Sequence, residues 1–98
     1  MQFSYRLYVV GSDKLLAICD REILGETFEE EELHIEVSDF YSDKECNEKS
    51  AVKLMQSATI VNAVGKNIIG IMMEKKLIDG GRILYIKGIP HAQTISII

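Results

Sequence analysis

Cysteine occurs only twice in this chain, at Cys19 and Cys46, with no CxxC. Two isolated cysteines are far below a disulfide framework. Cys19, His34, Cys46 and His91 could offer four zinc ligands, but their separations match no short-loop zinc pattern, and no metal or other cofactor is expected. No apolar stretch approaches the ~20 residues needed to cross a bilayer, so no membrane partner is expected. Met1 to Val10 lacks the basic start and small-residue cleavage site of a signal peptide. The expectation is a cytoplasmic protein, and its reducing compartment disfavours a Cys19–Cys46 bridge. Tryptophan is absent and only 7% of residues are aromatic, so stacking on bases is not indicated. No phosphate loop, dinucleotide fingerprint, nucleophile elbow or HExxH occurs.

What is present is an ordinary globular composition. Over 98 residues, 47% are hydrophobic and 27% charged, enough for one core and too apolar for disorder. The net charge of −4 argues against a strongly basic nucleic-acid binder. It conceals an asymmetry. Residues 1–50 hold five cations against thirteen acids, and residues 51–98 six cations against two acids. The plainer reading is mutual neutralisation over one surface. The functional reading is one basic face, built from Lys53, Lys66, Lys75, Lys76, Arg82 and Lys87, that meets RNA or another phosphate.

Residues 3–10 alternate Phe3, Tyr5, Leu7 and Val9 with Ser4, Arg6 and Tyr8, the period of a half-buried strand. Gly11-Ser12-Asp13-Lys14 is turn chemistry. The apolar run Leu15 to Cys19 suits a strand covered on both faces, closing an antiparallel hairpin. Gly25 breaks the next stretch, and the like charges Glu29 to Glu32 read as a solvated loop. Leu33, Ile35 and Val37 alternate with His34 and Glu36 in a third strand, which leaves His34 facing solvent. Asp39 to Glu45 reads as a polar connection.

Asn47 is placed to cap a helix with Glu48 in its first turn, and Ala51, Val52, Met55 and Ala58 keep helical spacing. A second helix is expected from Thr59 to Lys76, on the stripe Ile60, Val64, Ile68, Ile71 and Met72, with Asp79-Gly80-Gly81 as its stop. Gly65 and Gly70 would then lie inside it, each costing ~1 kcal/mol relative to alanine. Close approach of another backbone is the expected reason. Arg82 to Lys87 reads as a strand, Gly88 to Ala92 as an interruption, and Gln93 to Ile98 as the closing strand. The order β-β-β-α-α-β-β describes a single α+β domain over residues 1–98, with two helices packed on one face of a mainly antiparallel sheet.

Candidate chemistry gathers at element ends. Cys19 and Asp20 close a buried strand, Gly25 and Thr27 follow it, and Asn62 and Gly65 lie near the start of the expected long helix. Gly88, Pro90, His91 and Gln93 flank the last strand. The plainer reading of each is a polar group or glycine that satisfies loop backbone. The functional reading is a shared ligand site over Asp20, Gly25, Thr27, Asn62, Gly65, Gly88, Pro90, His91 and Gln93. His91, held behind Pro90, could act as acid, base or ligand near neutral pH. A Cys19–His91 pair with Asn62 or Asp20 as orienter would suit thiol catalysis, which makes Cys19, Asp20 and His91 the catalytic candidates.

Several segments carry a resemblance. Cys19-Asp20, Leu24-Gly25, Thr27-Phe28, Phe40-Tyr41, Ala58-Thr59-Ile60, Asn62, Val64-Gly65, Leu77-Ile78-Asp79 and Gly88-Ile89-Pro90-His91-Ala92-Gln93 are similar to a family of small archaeal proteins known as a conserved domain of unknown function. Its pattern is CD-x-x-LLG-x-TF, an ATIANLVG-like segment and a terminal GGVPHAQ. Ile23, Val61, Ala63 and Lys87 depart from it mildly. The resemblance implies an archaeal, cytoplasmic source and a link to RNA or a translation-related protein. It transfers no catalytic residue. Three readings remain open: a non-enzymatic binding or adaptor module, a small enzyme whose pocket is lined by Cys19, Asp20, Asn62, His91 and Gln93, and a homodimeric interaction domain.

Overall fold

Tyr5, Tyr8 and Leu16 sit in an uninterrupted antiparallel hairpin. β1 (Phe3–Val10) pairs with β2 (Asp13–Asp20) through all eight positions, around a turn with Gly11 at φ +61°. The computed structural model describes residues 2–78 and 80–95. After a one-turn 3-10 helix (Arg21–Ile23), β3 (Thr27–Glu30) and β4 (Leu33–Glu36) form a separate two-stranded hairpin. The glutamate run is therefore the tip of a hairpin and not a loop. Two-residue alternation sends neighbouring glutamates to opposite faces, Phe28 pairs with Ile35, and His34 lies 2.7 Å from Glu29 and 3.3 Å from Glu36.

A second 3-10 turn (Asp39–Tyr41) leads into the three-residue β5 (Lys44–Cys46). α1 (Glu48–Ser57) starts as expected, with Asn47 Oδ1 accepting from the Ser50 N–H at 2.9 Å. The expected long helix does not form as one piece. Ile60–Val64 is a strand, β6, and only Lys66–Glu74 is helical, as α2. Apolar residues at nearly every position of Ile60-Val61-Asn62-Ala63-Val64 satisfy a helical stripe and a buried strand equally, and the β-branched residues tip the balance toward the strand. β7 (Leu84–Ile86) and β8 (Ile89–Ile95) close the chain around Lys87 and Gly88, both at positive φ. Pro90, His91 and Ala92 thus belong to a strand and not to an interruption. Asp79 of the expected helix stop and positions 96–98 of the expected closing strand lie outside the described residues.

The main sheet has the order β5-β1-β2-β6-β8-β7, with β2 and β6 parallel and every other pair antiparallel. The architecture is α+β, with both helices on one face. The middle of that face is sealed: Phe3, Leu16, Ile18, Val61 and Ala63 pack against Ala51, Met55, Ile68 and Met72. The other face is covered over part of its area by the small hairpin and the 3-10 turns, where Cys19, Val64 and Ile86 meet Ile23, Ile35, Val37 and Tyr41. Among the described residues no helix is long and apolar enough to cross a membrane.

Candidate binding surface

β2, β6 and β8 are neighbours, so the segments that carry Asp20, Asn62 and His91 do come together. Ala17 pairs with Asn62 and Asn62 with Gln93, while Cys19 pairs with Val64 and Val64 with His91. Alternation then divides them. Leu16, Ile18 and Asp20 point to the helix face, and Ala17, Cys19, Asn62, His91 and Gln93 share the hairpin face.

Asp20 is 2% exposed, and both its oxygens are committed. Oδ2 accepts from the Asn67 N–H and Oδ1 from the Ile68 N–H, each at 2.9 Å. It caps α2 from a distant strand, in place of a residue at the helix's own start. Burial pushes its carboxyl above the ordinary value, the two N–H donors oppose that, and Glu22 adds a small rise. The same contact explains Gly65, whose φ is +125°. A Cβ there would lie 2.4 Å from the Asp20 Cγ. The close approach is therefore made by a side chain and not by a backbone. At Gly70 a Cβ would meet nothing within 4 Å, so crowding does not account for that glycine.

Asn62 sits at the centre of a second network. The Tyr41 hydroxyl donates to its Oδ1 at 2.7 Å, and His91 Nε2 lies 3.1 Å from the same oxygen. An acceptor of that kind requires the Nε2–H tautomer of His91. Burial lowers the His91 pKa and favours the neutral ring. The Tyr41 phenol is pushed up, first by burial, then by Cys19 and Tyr8. Cys19 is 0% exposed, with its thiol pushed up to about 12 by burial, then by Asp20. Val64 stands between Cys19 and His91, which puts their backbones two strand spacings apart, roughly 10 Å. Neither a thiolate nor a Cys–His contact is supplied here.

Gly25, Thr27, Gly88 and Pro90 serve the frame. The Gly25 N–H, at φ +94°, donates to the Val37 carbonyl at 2.7 Å, and Thr27 pairs with Glu36. Gly88 makes the β7–β8 turn at φ +76°. Pro90 is buried, and its carbonyl accepts from the Gly65 N–H at 2.9 Å. Gln93 is exposed beside Asn62. The six cations are spread over several places. Lys53 and Lys75 join Lys49, Val52 and Glu48 around a groove of about 490 Å³ on the helix layer. Lys66 borders a depression with Glu48 and Glu74, and Lys76 follows the end of α2. Arg82 lies beside Gln93 and Ile95 at a sheet end, and the Lys87 N–H donates to Glu30 on the small hairpin. Among the described residues no three His, Cys, Asp or Glu side chains are grouped to hold a metal.

A feature that sequence reasoning missed lies on the uncovered part of the hairpin face. Tyr8 pairs with Leu15, Leu15 with Ile60, and Ile60 with Ile95. Four strands thus each give one apolar side chain to a single row, about 14 Å long. The first three are half-buried and Ile95 is 63% exposed. The adjoining row is Arg6, Ala17, Asn62 and Gln93. Phe40 walls one end. Its ring stacks on Tyr8 at 5.1 Å, the Tyr8 hydroxyl donates to the Phe40 carbonyl at 2.9 Å, and the Arg6 guanidinium lies 5.2 Å from the Tyr8 ring centre. Phe40 and Tyr41 were visible as a pair in the sequence. The row was not, because it needs the registers of four strands.

The comparisons bear on the fold and the family. A crystal structure of an uncharacterised conserved protein from Methanopyrus kandleri superposes with a TM-score of 0.77 at 22% identity, over 94% of this chain and 89% of that one. It shows a shared fold. No curated protein matches the chain. The family described as a protein of unknown function (DUF424) matches residues 8–97. With nearly its whole length inside that match, the chain belongs to the DUF424 family.

Proposed function

We propose that this protein is a binding module and not a catalyst, and that its contact surface is the row Tyr8, Leu15, Ile60 and Ile95 with Phe40 as its wall. The observation that carries the reading is the division of labour between buried and open groups. Cys19 is sealed with a raised thiol, Asp20 is spent on capping α2, and His91 is tied to Asn62. The groups left open are apolar and aromatic, with Arg6 and Gln93 at the margin. Such a surface suits a protein segment that brings an apolar side chain to the row and polar backbone to the Gln93 and Asn62 amides.

An RNA partner, the link that the family resemblance implies, would instead meet the groove between Lys49, Lys53 and Lys75. Salt separates the two, since phosphate contacts weaken steeply with ionic strength and apolar contacts do not. The test is capture of a partner from cell extract by the whole chain, with and without ribonuclease, at low and high salt. Phe40→Ser with Ile60→Ser is compared with Lys53→Glu with Lys75→Glu. Loss of a salt-resistant protein partner in the first pair alone supports the proposal. Loss in the second pair alone, with ribonuclease and salt sensitivity, overturns it in favour of RNA. A separate check addresses chemistry: Cys19 is expected to resist iodoacetamide at neutral pH until the protein is unfolded.

A further inference from the structure

We infer that the outer edge of β1 is a self-association site, and that its partner is a second copy of this chain, paired antiparallel through residues Arg6 to Val10. The inference rests on the backbone of that edge, which shares Tyr8 and the marginal Arg6 with the binding row. β5 covers only Phe3, Ser4 and Tyr5, so the outer edge of β1 from Arg6 onward has no strand partner among the described residues. Leu7, Val9 and Val10 there are 41%, 64% and 75% exposed. Apart from the single charge of Arg6, the usual protections of an edge are missing: β1 has no proline, no lysine and no break in its register with β2.

The direction of the backbone groups follows from the hairpin. A two-residue turn closes on a hydrogen-bonded pair, here Val10 and Asp13, so even-numbered residues of β1 bond to β2. The Gln2 carbonyl, which accepts from the Arg21 N–H at 2.9 Å, continues that set. Leu7 and Val9 therefore hold their N–H and C=O groups outward. A two-fold axis at Tyr8 is the symmetric register that uses all five free residues and none of the three taken by β5. It places Leu7 against the partner's Val9, Tyr8 against the partner's Tyr8, and Arg6 against the partner's Val10. No like charges face each other, and the partner's Asp13, which lies beyond the partner's Val10 in the same row and on the same face, complements Arg6. Five residues a side is well below the 20–30 of a standard interface, so the dimer is weak and forms at high protein concentration.

Sedimentation equilibrium of the whole chain from about 10 µM to about 1 mM tests this by mass action. The average mass is expected to climb from the 11.1 kDa monomer toward twice that value. Val9→Lys is expected to weaken association at least tenfold. Val9→Pro, which removes an outward N–H and leaves the pairing with β2 intact, should do the same if the lysine variant folds poorly. Ile60→Ser should associate as the wild type does. A mass fixed at 11.1 kDa throughout, or unchanged association in both Val9 variants, overturns the inference, and so does loss of association in Ile60→Ser alone.

Discussion

The two faces of one sheet are built to different standards. On the helix face the side chains beneath the helices are sealed: Leu16, Ile18 and Ala63 are 0% exposed and Val61 is 5% exposed, and only the far end of β1, at Leu7 and Val9, lies outside that cover. On the hairpin face the same strands place Leu15 and Ile60 half-buried, beside an exposed Gln93. Composition does not account for the difference, since β2 and β6 supply apolar residues to both sides. Coverage does. Two helices cover the middle of one face, whereas a hairpin of two four-residue strands and two three-residue turns cap only part of the other. The covered part of the helix face supplies stability, and the uncovered remainder of the hairpin face is where we propose that a partner is met.

The sharpest way to break that contrast is a matched pair of truncations. Ile18→Ala should cost about 3–4 kcal/mol in urea unfolding, because Ile18 is fully buried. Ile60→Ala, one strand away on the open side, should cost roughly 1 kcal/mol, because water already reaches that side chain. Equal losses would mean the hairpin face is packed as tightly as the other.

Next in size is the cap of α2. Asp20→Ala leaves two N–H groups of α2 without their acceptor and should cost roughly 2–3 kcal/mol. Asp20→Asn keeps one acceptor oxygen and should recover part of it. Thermal unfolding of the two variants beside the wild type checks the order. A neutral Asp20→Ala would remove the carboxylate from the account of α2.

The histidines sharpen the comparison through pH. Burial lowers the His91 pKa in the folded protein, so the unfolded chain takes up its proton first. Stability is full above the ordinary histidine value of 6.5 and is lost as pH falls through it toward the folded value. The slope from this one proton is at most about 1.4 kcal/mol per pH unit. His34 has the opposite sign. Hydrogen bonds to Glu36 and then Glu29 raise its pKa, so its contribution is present at lower pH and lost as pH rises through the folded value. His91→Gln should flatten the acid limb of a stability profile, and His34→Gln should leave that limb in place. The smallest stability effect is expected at Phe40, which is 36% exposed. Phe40→Ser should shift unfolding by less than about 1 kcal/mol, while weakening partner capture.

How much of this was legible in the sequence depends on range. The first hairpin, the Asn47 cap, the outward His34 and the α+β class follow from local alternation and capping chemistry. Residues 59–76 misled because Ile60, Val64 and Ile68 are spaced for a helix although a turn at Gly65 separates them. At that turn Asp20, 45 positions away in the chain, fills the space a side chain would need, which accounts for the glycine. Cys19, Asp20, Asn62 and His91 lie on adjoining strands, but alternation turns Asp20 to the helix face and the other three to the hairpin face. Which face each one points to depends on register, and register depends on where β6 starts. The row from Tyr8 to Ile95 was invisible for the same reason: its members are spaced by pairing and not by sequence.

We propose the open half of the hairpin face as the contact surface. Methyl-resolved NMR of the whole chain, titrated with the partner recovered from extract, tests it most directly. The account predicts that shifts concentrate on the methyls of Leu15, Ile60 and Ile95, with the Phe40 ring following. Shifts confined to Val52, Leu54 and Met73 on the helix layer, with the Ile60 and Ile95 signals unmoved, would contradict it.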